Sequence, residues 1–532
     1  MLITNDRKEL LQMGAVEMAK GIREGYFTSQ ELVEAHIERI MEINPVLHAV
    51  AIPLFEEARL AAKRADLQAA KGGELGPLHG VPVTVKESLD VAGTPSTWGL
   101  PHRQGKLSQA DDPGVALLKQ AGAIVIGKSN IMQLLMGCES VNPLYGRVRN
   151  PWRPEERSSG GSSGGEAAII AAGGSPLGLG TDVGGSIRTP SHFCGIHGLK
   201  PTPGRVPSGK PEGIVHVLPE AAMMASTGPM ARRVEDLVLA MEILSTPEYL
   251  KQSPIRPSSS LSIQGLHVGF YTTDGILAPS SALQRTVREA ADALAQCGAI
   301  VKEFVLPEPE FALHQFYSLM SAGGAAGIER SLNGDEMSAQ LAGVHRSFGL
   351  TKGKKRFVSG ILRLLGQKIV GHHIVPYLGA KTEDERHELV RQQELYRQRF
   401  LKEMERQQVD VLISPPFLTP SIQHDQSLQM SYEGSYALMY NYLQMPAGIV
   451  STTRVRMDEV AARLRSSDKT VQAANKVDEH SAGLPVGVQV AAPPWREDLV
   501  LTVMACLEEQ FMQTEEYPVG KLGHDGDSKL FI

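Results

Sequence analysis

Arg157-Ser-Ser-Gly-Gly-Ser-Ser-Gly-Gly-Glu166, then an Ala/Ile/Gly/Leu segment, then Gly180-Thr-Asp-Val-Gly-Gly-Ser-Ile-Arg188 make up the stretch that decides how this chain reads. Two glycine-flanked serines, Ser162 and Ser186, are joined by a segment too apolar for the surface. Glycine permits positive φ and leaves backbone N–H groups uncovered. Two hydroxyls are therefore expected to face a small ligand, with amide donors around them. The segment between them is expected to be a buried helix that spaces the two loops.

Upstream, Gly80-Val-Pro-Val-Thr-Val-Lys86 reads as a short strand ending in a lysine. Such a lysine either snorkels to water or is buried, where desolvation lowers its pKa and makes it a base near neutrality. Gly122-Ala-Ile-Val-Ile-Gly127-Lys128-Ser129 fits the phosphate-loop pattern G-x-x-x-x-G-K-[ST]. Its four intervening residues favour a buried strand, not a curled loop, which argues against nucleotide binding. Gly160-x-Ser162-x-Gly164 fits the nucleophile-elbow pattern, but a polar, proline-bearing loop precedes it where an elbow needs a strand. Ser466-Ser-Asp-Lys469 fits S-x-x-K and reads as solvated surface.

Downstream, Leu266–Tyr271 is strand-like, Ser280–Gln296 is an amphipathic helix, and Gly298–Val301 is the next strand. The rhythm predicts a mainly parallel sheet covered by helices. Residues 383–408 read as a charged helix, 409–413 and 483–490 as strands, and 496–510 as a last helix. Residues 431–447, rich in Tyr and Met, read as pocket wall or core. Residues 1–72 read as a helical flank, opened in part by the capping box Thr28-Ser-Gln-Glu31. No repeat or low-complexity linker divides the chain, so one domain over 1–532 is expected.

Net charge is −6, which excludes a global basic field of the kind nucleic-acid binders carry. Cys138, Cys194, Cys297 and Cys506 are far apart, so neither a metal knuckle nor a disulfide framework is expected. No signal peptide or apolar span is read from the sequence, and a cytoplasmic location is expected. Residues 345–380 differ from the rest: Lys352, Lys354, Lys355, Arg356, Arg363 and Lys368 accompany Phe357, Ile361, Leu364, Leu365 and Ile369 at helical spacing. A basic amphipathic helix docks on membrane or on a partner, or packs its apolar side on the core.

A strand-end lysine, a serine in Gly-Gly-Ser-Ser-Gly-Gly and a second serine in Asp-Val-Gly-Gly-Ser-Ile-Arg together resemble the amidase signature family, over about residues 76–205. Asn142–Gly146, Asn150–Trp152, Phe193–Ile196, Tyr440–Gly448 and Gly483–Gln489 resemble its fatty acid amide hydrolase branch. The resemblance implies an α/β fold with a central twisted, mixed, mainly parallel sheet and helices on both faces. It implies Ser186 as nucleophile, Ser162 as proton bridge after a cis Gly161–Ser162 bond, and Lys86 as base. Backbone N–H groups of Val183, Gly184, Gly185 and Ser186 would form the oxyanion hole, each donor being worth about 3 kcal/mol. Leu135 falls in the segment resembling the substrate channel, and Asp182 and Arg188 are expected to pair. No metal or cofactor is required. A homodimer acting on lipid-like amides is implied, touching the membrane through 351–378. No counterpart of the branch's mammalian transmembrane anchor is expected. Short-chain, aryl or peptide amides, or the glutamine amide of a transamidation complex, are the alternative substrates.

Overall fold

Runs of β-branched and aliphatic residues bounded by glycine and proline become the strands. The computed structural model describes residues 7–209, 221–246, 262–428, 435–461, 463 and 466–519. In chain order the strands are β1 (Val50–Pro53), β2 (Pro82–Lys86), β3 (Ile124–Ser129), β4 (Val141–Asn142), β5 (Gly146–Arg147), β6 (Leu177–Asp182) and β7 (His197–Lys200). They continue with β8 (Ser226–Ala231), β9 (His267–Phe270), β10 (Ile300–Glu303), β11 (Val411–Ser414), β12 (Ala447–Arg454) and β13 (Pro485–Ala491). β4 and β5 form a small hairpin. The others build one sheet in the order β1-β3-β2-β6-β8-β7-β12-β13-β11-β9-β10.

The sheet is mixed, with less parallel pairing than the strand–helix rhythm implies. Parallel pairs are confined to β3–β2–β6 and β10–β9–β11. The strands between them, and β1 on β3, pair antiparallel. β8 wedges antiparallel between β6 and β7, and β12 pairs with β13. Which neighbour a buried strand takes is set by tertiary packing, not by its own periodicity.

Alternate side chains of β3 go to opposite faces, as the period of a strand requires. Val125 joins Val83, Val85, Leu177 and the helices Val234–Leu244 and Glu497–Phe511. Ile124 and Ile126 join the helices Ser29–Leu47 and Gly164–Ala171 on the other face. The phosphate-loop lookalike is thus the buried strand β3. The expected capping box is formed: Glu31 N–H donates to Thr28 Oγ1 at 3.1 Å and Thr28 N–H to Glu31 Oε2 at 2.7 Å.

Two expectations change. The N-terminal flank is not purely helical, because Val50-Ala-Ile-Pro53 extends the sheet edge as β1. Ser466–Lys469 is not simply surface, because Asp468 is buried and caps the helix Lys469–Glu479. Residues 345–380 contain the helix Lys352–Leu364 and the short helix Lys368–His373. Part of the aromatic 431–447 stretch lies outside the described residues. Ser435–Tyr442 is a helix with every residue buried.

Candidate active site

β2 and β6 are parallel neighbours, and both deliver functional groups near their C-terminal ends. β2 ends in Lys86, wholly buried, so it does not snorkel. Its Nζ donates to Ser162 Oγ at 2.7 Å and to Thr181 Oγ1 at 2.8 Å, the latter on β6. Burial lowers the Lys86 pKa to about 7, opposed by Asp182 and Glu166. Lys86 therefore sits where a base works near neutrality.

Ser162 precedes the helix Gly164–Ala171, after a cis Gly161–Ser162 peptide. That helix is buried along its length, but it fills only the first part of the segment expected to be helical, because Leu177–Asp182 is the strand β6. Its C-terminal side leads back into β6, and β6 leads to the second loop. There the Ser163 N–H donates to Ser186 O at 3.2 Å, which locks the two loops together. Ser186 is half-buried, and among the described residues its hydroxyl makes no hydrogen bond. Thus Lys86 and Ser162 are joined directly, while Ser186 joins through its backbone.

The Asp182 carboxylate organises the second loop. It accepts from Gly185 N–H at 2.8 Å, Ile187 N–H at 3.1 Å and Asn441 Nδ2 at 3.0 Å. Arg188, equally buried, donates to it through Nε and Nη2 at 3.1 Å each. Burial opposes the charge, but the Arg188 guanidinium and these donors hold Asp182 well below the usual carboxylate range. The expected Asp182–Arg188 pair is present. The expected set of four amide donors is altered. Gly185 N–H points at Asp182, while Val183, Gly184 and Ser186 N–H have no protein acceptor among the described residues. Gly185 is required as glycine, since its φ is +108° and a Cβ would meet Thr189 Oγ1 at 2.9 Å.

Leu135 lies in the turn Gln133–Leu135, with φ +59°. The turn reaches the site through Met132 N–H, which donates to Ser162 O at 3.3 Å. Phe316 and Leu438 close over Gly184, each 3.1 Å from where its Cβ would stand.

Two residues in contact with the candidate site were not singled out in the sequence. Thr181 shares Lys86 Nζ with Ser162. Glu166 is wholly buried beneath the site, where Ser129 Oγ donates to it at 2.6 Å and Thr84 Oγ1 donates as well. Burial raises its pKa to about 7 against those hydroxyls and Lys86. Gly178 on β6 leaves it room, because a Cβ there would stand 1.9 Å from Glu166 Oε1. The signal was available. An acid opening an otherwise apolar run has to be buried, and a buried acid needs partners.

The amidase family model matches residues 31–501. Fatty-acid amide hydrolase 1 of Sus scrofa is 33% identical over 520 residues, 94% of this chain and 86% of that protein. The chain belongs to the amidase family. It is an amide-hydrolysing enzyme. Indoleacetamide hydrolase of Bradyrhizobium diazoefficiens is 39% identical over 302 residues, 56% of this amidase and 57% of that protein. A solved fatty acid amide hydrolase shares the fold, with a TM-score of 0.80 at 23% identity, covering 97% of this chain and 87% of that one. Among the described residues no helix is long and apolar enough to cross a membrane.

Proposed function

We propose that this amidase hydrolyses fatty acid amides, either primary amides or N-acylethanolamines, through Lys86, Ser162 and Ser186. The observation that carries the chemistry is the 2.7 Å hydrogen bond between Lys86 Nζ and Ser162 Oγ at a lysine stripped of water. Neutral Lys86 takes the Ser162 hydroxyl proton as Ser162 takes that of Ser186. The Ser186 oxygen bonds to the amide carbon, and the carbonyl electron pair moves onto oxygen. Amides of Val183, Gly184 and Ser186 receive that charge, and Gly185 holds the loop through Asp182. The proton then returns from Lys86 through Ser162 to the leaving nitrogen. The C–N bond breaks and the amine departs neutral, which an unprotonated nitrogen cannot do. Water repeats the sequence on the Ser186 ester, releasing the acid and restoring the serine. The Ser162–Ser186 hydrogen bond forms as substrate settles, since catalytic hydrogen bonds often tighten only in the complex.

The fatty-acyl reading is supported by the Sus scrofa relative and by the helix Lys352–Leu364. Phe357, Leu364 and Leu365 on or beside it are 71%, 88% and 66% exposed, among basic side chains. Apolar groups left that open suit the headgroup boundary of an anionic bilayer. Leu135 and Phe316 would contact the acyl chain. A cytoplasmic homodimer, touching membrane through 351–378, completes the reading. The indoleacetamide relative favours a second one, an aryl or short-chain amidase.

A panel of oleamide, an N-acylethanolamine, a short aliphatic amide and an arylacetamide separates the two. The long-chain amides should show the highest kcat/KM, and Ser186→Ala should remove hydrolysis of all four. A preference for the arylacetamide would move the substrate to the second reading. Activity surviving in Ser186→Ala would reject the nucleophile.

A further inference from the structure

Glu310-Phe-Ala-Leu-His314 places a carboxylate and an imidazole one turn apart on the helix Pro309–Met320. His373, the last residue of the short helix Lys368–His373, meets them. One ligand atom from each of the three residues lies within 4.8 Å of the other two. His314 Nε2 and His373 Nδ1 are 3.3 Å apart. Zinc–nitrogen bonds of about 2.0–2.1 Å at a tetrahedral angle set their two nitrogens about 3.3–3.4 Å apart. Glu310 is exposed, and its carboxylate oxygen lies within 4.8 Å of both nitrogens.

We propose that Glu310, His314 and His373 form a binding site for a divalent late transition metal, with Zn²⁺ the best match. Two imidazoles and one carboxylate are a borderline donor set that suits this ion and leaves one position to water. The site is well supported on the His314 side. The His314 ring stacks on Tyr377 with centroids 3.8 Å apart and planes 10° apart, which fixes the orientation of its Nε2. Tyr377 follows His373 closely, so one segment supplies both a ligand and the ring that orients another. Ser318 Oγ adds a hydrogen bond to Tyr377 O at 3.2 Å.

The ion would act as a clamp. It joins the basic exposed segment to the helix whose Phe316 closes over Gly184. It takes no part in the amide chemistry, so it stands whether or not the proposed substrate is right.

Co²⁺ titration of the whole chain tests it, because four-coordinate cobalt absorbs strongly in the visible. The wild type should develop that band, and Zn²⁺ should abolish it and raise the thermal midpoint. His314→Ala and His373→Ala should each weaken Co²⁺ binding by about tenfold or more, since changes merely adjacent to metal ligands already cost that much. Glu310→Gln, at an exposed position that the fold tolerates, should weaken it too. His345→Ala, at a histidine paired with Glu329 instead, should not. A wild type without the band overturns the site and leaves His314 and His373 sharing a proton. So does a band that all three ligand variants retain unchanged.

Discussion

Lys86 and Glu166 titrate over the same range, one drawn down to about 7 and the other pushed up to about 7, both mainly by burial. Ammonium with carboxylate and amine with carboxylic acid hold the same number of protons, so the apparent pKa belongs to the pair. In the proposed mechanism the working base is neutral Lys86, so kcat/KM should rise with pH through about 7 and then level off. A Glu166 carboxylate favours the Lys86 ammonium. In Glu166→Gln that support is gone, the Lys86 pKa falls further, and the rising limb should move to lower pH. A limb that stays in place or moves up would separate Glu166 from the base. Lys86, Ser162 and Ser186 were legible as candidates because they sit inside short motifs whose glycine spacing constrains them; the structure brings Lys86 and Ser162 into direct contact and Ser186 beside them through its backbone. Glu166 and Thr181 act through partners supplied by β2, β3 and β6, and contacts across strands leave no local pattern.

The helix Lys352–Leu364 was legible at the scale of an element, where a 3.6-residue period and a lack of acids are visible in the chain. Which way its apolar side faces was not, since that depends on what the rest of the fold leaves open. Phe357 and Leu364 face outward, whereas Ile369 and Ile374 pack into the aromatic core. Reversing Lys354, Lys355 and Arg356 to glutamate should weaken co-sedimentation with anionic vesicles and leave hydrolysis of a short soluble amide unchanged. Equal sedimentation would mean that these charges do not draw the enzyme to membrane. β2, β3, β9, β10, β11 and β13 were legible likewise as short apolar runs, whereas β1 was hidden in a stretch that reads as helical. The antiparallel entry of β8 was not legible, because a strand's direction is set by its connection and not by its composition.

Across the whole molecule, several lysines have been taken out of water. Lys200 is wholly buried behind the second loop, and burial, with Arg188 nearby, lowers its pKa to about 7. An unfolded lysine holds its proton to about pH 10.4. Between about pH 7 and 10 the unfolded chain therefore binds more protons at Lys86 and Lys200, and stability rises with pH, by up to about 1.4 kcal/mol per unit for each. The thermal midpoint should climb from pH 7 to pH 9, and less steeply in Lys200→Met; an equal slope would mean Lys200 stays charged when folded. One α/β domain with helices on both faces was legible because core-forming runs continue along the whole chain. The order of the strands was not, since it records which distant segments meet. One such meeting has a historical consequence. Gly178 and Glu166 occupy one space, so a larger residue at 178 is admissible only once 166 has become smaller. Descendants of this chain can therefore enlarge position 178 only after position 166 has shrunk, and a pair that varies in that order would mark the strand and helix as neighbours from sequences alone.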